Sequence, residues 1–414
     1  MLLRAYDPQR DREAAHRIYR EVGWLEKGQE ENAGLVLDAG RAHVAEVEGS
    51  AEVVVTTAWG TLHYGDAPQR REPLPLCGVT GVATSRVARK RGLAARVTAR
   101  AVAQDAADGA IVAGLGMFEQ GFYNRLGFGT GGYEHWVAFD PAQLRARREA
   151  RVPSRLTADD WEAAHAARLA RWKGHGAVDI APAGLTRYEM AETKNGFGLG
   201  YRREGDGTLT HYVWMSAPNV ERGPYTVQWA AYQDYDQLLE LLAVLHNLGD
   251  QVHLVRMREP QGIQLQDLIV QPFKGQNVTA RSDYAQRIIA EAYWQMRICD
   301  LEACLARTRL PGEAVRFNLE LGDPIEALLP EDAPWRGVAG RYVVTLGPSS
   351  GAERGWDASL PTLTATVNAF TRMWLGVRPA TGLAATDDLS GPPDLLQALD
   401  SALCLPEPKP DWDY

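Results

Sequence analysis

Residues Val79-Thr80-Gly81-Val82-Ala83-Thr84-Ser85-Arg86-Val87-Ala88-Arg89-Lys90-Arg91-Gly92-Leu93-Ala94 decide how this chain is read. Residues 76–84 have the β-branched composition of a strand. Gly78 and Gly81 within it point to a bulge or a close backbone approach. A basic turn, Arg89-Lys90-Arg91, follows, and an alanine-rich helix starts at Gly92 and runs to Gly109. The first backbone N–H groups of a helix have no intrahelical acceptor and carry the positive end of its dipole. With a glycine and three cations beside them, such groups make a cradle for a pyrophosphate. A solvated basic loop in front of a helix has the same composition, so the flanking sequence matters.

On the near side, Met1 to Tyr6 reads as a strand and Asp7 as a helix start, with Ala14, Ala15, Ile18 and Tyr19 at helical spacing. Residues 42–48 and 52–59 read as strands joined at Gly49-Ser50. On the far side, residues 110–115 read as a buried strand. Residues 119–129, containing Phe122-Tyr123-Asn124-Arg125-Leu126-Gly127-Phe128, read as a short helix closed by Gly127, and 133–139 as a strand. The order is that of a mixed α/β layer in which a glycine-bearing strand feeds directly into a long helix.

The rest of the chain repeats part of this pattern and then leaves it. Strands at 196–204, 209–215 and 225–232, a helix ending at Gly249 and a strand at 251–257 look like a second copy. Ala231-Tyr232-Gln233-Asp234 stands where the basic turn would be, so this copy is given no cofactor site. From Trp294 the character changes again, with strands at 315–321, 341–346 and 363–367 and helices at 369–375 and 393–403. Three prolines mark the last eleven residues as an extended tail.

The two flanking motifs carry a resemblance. The basic-glycine turn and Phe122–Phe128 are similar to the acyl-CoA loop and the later tyrosine motif of GCN5-related N-acetyltransferases. The whole chain resembles the Eis-type (enhanced intracellular survival) acetyltransferases. The resemblance implies an α+β / α/β fold of tandem acetyltransferase-like mixed-sheet domains, the second degenerate, followed by a domain similar to sterol carrier proteins. The expected limits are 1–145, 146–293 and 294–414. It also implies acetyl-CoA as co-substrate, held by Val82, Ala83 and Thr84 on the strand and by Arg89, Lys90, Arg91, Gly92, Leu93 and Ala94 at the turn. Phe118 joins this set; it stands where the family commonly has a serine.

Acetyl transfer from a thioester to an amine requires a neutral amine, a stabilised oxyanion and a proton for the departing thiolate. Tyr123 takes the last role by the resemblance. No histidine stands out as a base: His16, His43, His63 and His135 each sit alone in a helix or strand. The resemblance instead gives that role to the terminal carboxylate of Tyr414, brought by the tail into the first domain's site. Trp24 and Glu26, with Asp413 of the tail, would receive a cationic amine through cation–π and ionic contacts. An acidic loop with one packed tryptophan would read the same way.

Composition narrows the partners. With 414 residues, 45% of them hydrophobic and 23% charged, the chain can form several cored domains. A formal net charge of −9 disfavours nucleic acid and anionic membranes. Four cysteines in no ligand spacing suggest neither a metal site nor a disulfide framework. The N-terminus turns charged too early for a signal peptide, and no apolar run approaches the ~20 residues of a membrane span. The expectation is therefore a cytoplasmic acetyl-CoA-dependent N-acetyltransferase for cationic amines of aminoglycoside-like or lysine-like type. A homo-oligomer is expected, a hexamer being what the resemblance implies. A protein-lysine acetyltransferase and a non-catalytic acyl-CoA or lipid binder are the alternatives.

Overall fold

The computed structural model describes residues 2–65, 72–271 and 281–413. The chain divides into two compact units. One gathers Met1–Gly132, Gly174–Pro182 and Ala292–Tyr414; the other gathers Tyr133–Lys173 and Ala183–Glu291.

In chain order, the first part of the first unit holds β1 (Leu2–Ala5), α1 (Pro8–Val22), α2 (Glu30–Asp38), β2 (Arg41–Val47), β3 (Ser50–Tyr64), β4 (Glu72–Thr84), α3 (Leu93–Ala107), β5 (Val112–Gly116), α4 (Gln120–Asn124) and β6 (Gly129–Thr130). Local chemistry fixes the ends of these elements. Asp7 caps α1 by accepting from the Gln9 N–H at 2.9 Å, Pro8 opens the helix, and Gly23 ends it in the left-handed region. Glu48 and Gly49 both have positive φ and make the tight turn from β2 to β3. The helices pack on the sheet with two cores. Ala15, Ile18, Tyr19 and Leu37 meet Val44, Val54 and Ala83, while Leu93, Val97, Ala101 and Val102 meet Val53, Val55, Val79 and Leu115. The alanines of α3 let the helix approach the strands closely, as a thin apolar face allows.

The chain then runs through β7 (Glu134–Phe139), β8 (Ser154–Leu156), α5 (Trp161–Ala170), β9 (Val178–Ile180), α6 (Ala183–Glu192), β10 (Gly196–Arg202), β11 (Leu209–Ser216), β12 (Tyr225–Ala231), α7 (Tyr235–Asn247), β13 (Val255–Arg258) and β14 (Arg287–Glu291). Apart from β9, these form the second unit, whose sheet runs β14-β7-β13-β12-β11-β10-β8. Its helix α7 buries Leu238, Leu241, Leu242 and Leu245 against Val213, Val227, Val255 and Met257. The parallel pair β12–β13 repeats the β4–β5 pair of the first sheet.

The remainder is β15 (Trp294–Ile298), α8 (Leu301–Ala306), β16 (Val315–Gly322), β17 (Gly340–Leu346), β18 (Gly351–Arg354), β19 (Thr362–Thr366), α9 (Val367–Trp374), α10 (Ala380–Thr386), β20 (Leu389–Ser390) and α11 (Pro393–Ala402). Strands β16 to β20 form a sheet of order β18-β17-β16-β19-β20. Two strands depart from the order read along the sequence. Residues 134–139, read with the first copy, pair with β13 and β14 in the second sheet. Residues 294–298, read as the start of the last third, lie between β5 and β6 and complete the first sheet, β1-β2-β3-β4-β5-β15-β6 with β9 on β3. Pairing partner is a long-range choice; residue pattern identifies a strand but not its neighbour.

His43 on β2 is buried, and neither ring nitrogen has a hydrogen-bond partner among the described residues. Burial, helped by Arg100 and Arg41, pushes its pKa down from 6.5 to about 4. The folded state thus binds fewer protons than the unfolded state. His43 contributes its full stability above about pH 6.5 and loses it as pH falls towards 4. The loss should reach roughly 2 kcal/mol between about pH 7 and about pH 5. His43→Leu should flatten this part of the stability–pH curve, measured by denaturant melts; an unchanged slope would place the acid sensitivity elsewhere.

Candidate active site

The site is built on the parting of two parallel strands. β4 and β5 pair only from Leu76–Val112 to Val79–Leu115. Beyond that point β4 keeps its partner on the other side, β3, as far as Thr84–Val53. The parting coincides with a bulge. Thr57 opposes Val79 and Thr56 opposes Gly81, leaving Thr80 as the extra residue, its hydroxyl 3.0 Å from that of Thr56. An extra residue bends the strand and increases its twist.

The backbone directions follow. The Ser85 N–H donates to the Glu52 carbonyl of β3 at 2.9 Å. By strand alternation Ala83 also faces β3, whereas Val82 and Thr84 turn their N–H and C=O groups away from it, into the gap. Ala83 is instead buried in the α1-side core. Val82 and Thr84 thus lie where a ligand can be paired as if it were a strand.

Past Thr84, a single turn at Arg86–Ala88 leads to the basic segment. Arg89, Lys90, Arg91 and Gly92 are all exposed, with φ of +59° at Lys90 and +72° at Gly92. A β-carbon on Gly92 would meet nothing within 4 Å, so glycine is needed for backbone conformation rather than for room. α3 then begins with no side-chain cap and no acidic residue in its first turn. Its first bond within the helix is from the Arg96 N–H to Gly92 at 3.3 Å, which leaves the N–H groups of Leu93, Ala94 and Ala95 at the open end. Among the described residues none of the three cations forms an ion pair. Exposed cations, a left-handed turn and open N–H groups together fit a pyrophosphate.

The second unit shows the contrast. At the matching place α7 is capped by Asp234, which accepts from the Gln237 N–H at 2.8 Å, and Asp236 lies in its first turn. A carboxylate already occupies that helix end, so it repels a phosphate.

Tyr123 lies on α4, only 3% exposed, and packs among Phe118, Phe122 and Phe128 with ring centroids 6.4, 4.8 and 6.3 Å away. It belongs to the same core as Val79 and Leu115, the residues at which the strands part. Burial, with Glu119 nearby, raises its pKa to about 12, so the phenol is neutral and a donor at ordinary pH. Phe118 is 78% exposed just past β5. The N–H before it, on Met117, is already donated to the Tyr293 carbonyl at 2.6 Å.

Trp24 is half-exposed and leans on Tyr19 at 5.8 Å. It also borders β4: a β-carbon on Gly81 would lie 3.8 Å from its ring. Glu26 is exposed nearby. Glu30, close by in sequence, is paired with Arg20 at 2.7 Å, which holds its carboxyl below the usual range.

The tail is seated. Lys409 N–H donates to the His175 carbonyl, Pro410 accepts from Val178 N–H, and Trp412 is 2% exposed. Asp413 is exposed, and Tyr414 lies outside the described residues. Of the histidines, His16 and His43 are buried, His63 bonds Asp179 at 2.9 Å and His135 lies 3.7 Å from Glu259. Asn368 and Arg297, which hold the loop after Tyr123, escaped the sequence reading; at separations of 171 to 244 residues no local signal marks them. The described residues contain no cluster of ligands for a metal and no helix able to cross a membrane.

No protein-family model and no curated protein matches the chain in sequence. Solved structures match it in fold over its full length. A probable N-acyltransferase of unknown function from Enterococcus faecalis aligns with a TM-score of 0.78 at 17% identity, covering 100% of this chain and 99% of that one. A GCN5-related N-acetyltransferase from Anabaena variabilis gives 0.76 at 12% identity, with 100% of both chains covered. Eis1 from Mycobacterium abscessus gives 0.75 at 18% identity, again with 100% of both covered. The fold is therefore similar, from end to end, to those of solved structures described as GCN5-related or probable N-acyltransferases, Eis1 among the structures it matches.

Two measurements check the anion cradle. Arg89→Ala and Arg91→Ala should leave stability within about 0.5 kcal/mol yet weaken inorganic pyrophosphate binding, read by calorimetry at low salt. Gly92→Val should cost roughly 1–2 kcal/mol, through its left-handed φ alone, and weaken the same binding. Pyrophosphate affinity that ignores all three changes would reject the cradle.

Proposed function

We propose that this protein is an acetyl-CoA-dependent N-acetyltransferase acting on primary amines of cationic molecules. One observation carries the reading: the gap beyond Val79–Leu115 is bordered by free strand backbone and leads to a basic, uncapped helix end, with Tyr123 in the core that also holds Val79 and Leu115. The second sheet has the same parallel pair but a carboxylate-capped helix, so the reading confines the cofactor to the first.

Acetyl-CoA would supply an acetyl group already activated as a thioester. Val82 and Thr84 would pair with its pantetheine arm through backbone groups, and a backbone N–H directed into the gap would stabilise charge on the acetyl oxygen. Arg89, Lys90, Arg91 and the N–H groups of Leu93 and Ala94 would hold the pyrophosphate. The amine nitrogen bonds to the carbonyl carbon as the carbon–sulfur bond breaks, and the proton that the amine gives up passes to solvent water.

Tyr123 would donate to the departing sulfur. With its pKa near 12 against ~8.5 for a thiol, complete transfer would be uphill by about 5 kcal/mol. Its contribution is therefore a hydrogen bond to the thiolate as charge develops, with a solvent proton completing the thiol. Trp24, beside Gly81, and Glu26 would receive the cation, in keeping with the acidic balance of −9. Asp413 of the seated tail belongs to this cationic side in the same reading.

A lipid-carrying role for residues 294–414 fits less well. The groove of about 540 Å³ on their sheet is lined by Glu320, Asp387 and Asp388 as well as Leu321, Ala365 and Leu389, so its apolar lining is interrupted by carboxylates that an acyl chain would desolvate.

The test is acetyl-CoA-dependent thiol release over a panel of aminoglycosides, polyamines and lysine peptides. Polycationic small amines should be turned over, and Tyr123→Phe should lower kcat roughly 100-fold while acetyl-CoA affinity by calorimetry stays unchanged. Tight acetyl-CoA binding without thiol release for any amine would make the protein a non-catalytic acyl-CoA binder. Exclusive turnover of protein lysines would reassign the acceptor.

A further inference from the structure

Tyr123 sits on a helix of five residues, too short to hold its own position. The chain after it bends sharply, with Gly127 at φ +83°; within the bend the Gly127 N–H donates to the Asn124 carbonyl at 3.1 Å and the Asn124 amide to the Phe128 carbonyl at 3.0 Å. The carbonyls of Asn124, Leu126 and Phe128 also accept from side chains of the last third of the chain. The Asn368 amide donates to the Asn124 carbonyl at 2.8 Å and to the Phe128 carbonyl at 3.0 Å. An amide nitrogen has two hydrogens, so its donor capacity is filled by these two bonds. The Arg297 guanidinium donates to the Leu126 carbonyl.

Neither side chain is free to drift. Asn368 lies in the first turn of α9, whose cap Thr366 accepts from the Ala369 N–H. Arg297 reaches Asp323 at 2.6 Å, both side chains wholly buried, and stands 5.1 Å over the Trp335 ring. Asp323 is itself fixed by the N–H groups of Ile325 and Val338. The loop is pressed against this frame: a β-carbon on Gly127 would lie 2.6 Å from Arg297 Nη1 and 2.8 Å from Val367. Nothing comparable holds the phenol. Its hydroxyl has no hydrogen-bond partner among the described residues, and the ring is held by packing, with the edges of Phe118, Phe122 and Phe128 against it.

From this geometry we infer that Asn368, backed by Arg297, is a positioning residue for Tyr123: the last third of the chain sets the place of the hydrogen-bond donor that serves the leaving sulfur. This rests on the role proposed above for Tyr123. The energetic reason is reach. A donor displaced by about 1 Å loses up to 100-fold in rate, whereas cofactor binding, which uses β4 and the start of α3, does not pass through this loop.

The experiment uses the full chain labelled with 3-fluorotyrosine, the Tyr123 resonance being assigned by its loss in Tyr123→Phe. Asn368→Ala should shift or broaden that resonance, lower kcat roughly 10- to 100-fold and leave acetyl-CoA affinity unchanged. Asn368→Asp, which turns an oxygen towards two carbonyls, should behave alike, while Asn368→Ser, with one donor retained, should be milder and serves if the alanine variant does not fold. In a Tyr123→Phe background Asn368→Ala should cost no further turnover, because the positioned group is gone. An unmoved Tyr123 resonance, or losses that multiply in the double variant, would overturn the inference. If Tyr123→Phe alone keeps full turnover, the acid role fails, and the fluorine resonance still decides whether Asn368 fixes the ring.

Discussion

The separation of β4 from β5 is the constraint on which the rest of the site depends. A parallel pair in the middle of a sheet ordinarily satisfies its backbone along its whole length. Here the pairing stops at Val79 and Leu115, and the extra residue Thr80 turns the end of β4 aside while β3 stays bonded to it. Val82 and Thr84 are left with polar groups facing a gap. Such groups are tolerated where water or a ligand can reach them, which makes the gap a place for an extended polar chain. The position of α3 follows, since β4 ends by aiming the chain at the helix start.

The two sheets show how little chemistry separates an open, basic helix start from a capped one. Both have a parallel pair followed by a long helix packed on the sheet. In one, three exposed cations and Gly92 precede an uncapped helix; in the other, Asp234 satisfies the helix end from within. A cap of this kind stabilises a helix by about 1 kcal/mol. Leaving it out at α3 forgoes that stability and keeps the N–H groups and the positive end of the dipole available to an anion.

The buried pair Arg297–Asp323 has a related logic. Taking both charges fully out of water is costly, and only close geometry with further hydrogen bonds offsets it. Those bonds exist, to Leu126, Ile325 and Val338, and one of them crosses to the loop after Tyr123. The pair therefore ties the order of that loop to the folding of the last third, which also supplies β15 to the first sheet.

Local physics was legible in the residues themselves. The helix start at Asp7, the hairpin read at Gly49-Ser50 and turning one residue earlier at Glu48-Gly49, the bulge or close approach read from Gly78 and Gly81 and the basic turn before α3 all depend on neighbours within a few positions. The absence of a basic turn before α7 was legible too, and Asp234, which stands there, caps that helix. What only the tertiary structure decided is which strands meet and what holds Tyr123. β7 joins the second sheet and β15 the first, although nothing in Glu134–Phe139 or Trp294–Ile298 names a partner. Hydrogen bonds from Asn368 and Arg297 span hundreds of residues and leave no periodic trace. A sequence sets propensity, caps and turns through short-range sterics and hydrogen bonds, whereas pairing and buried polar contacts are chosen by the packing of the whole chain.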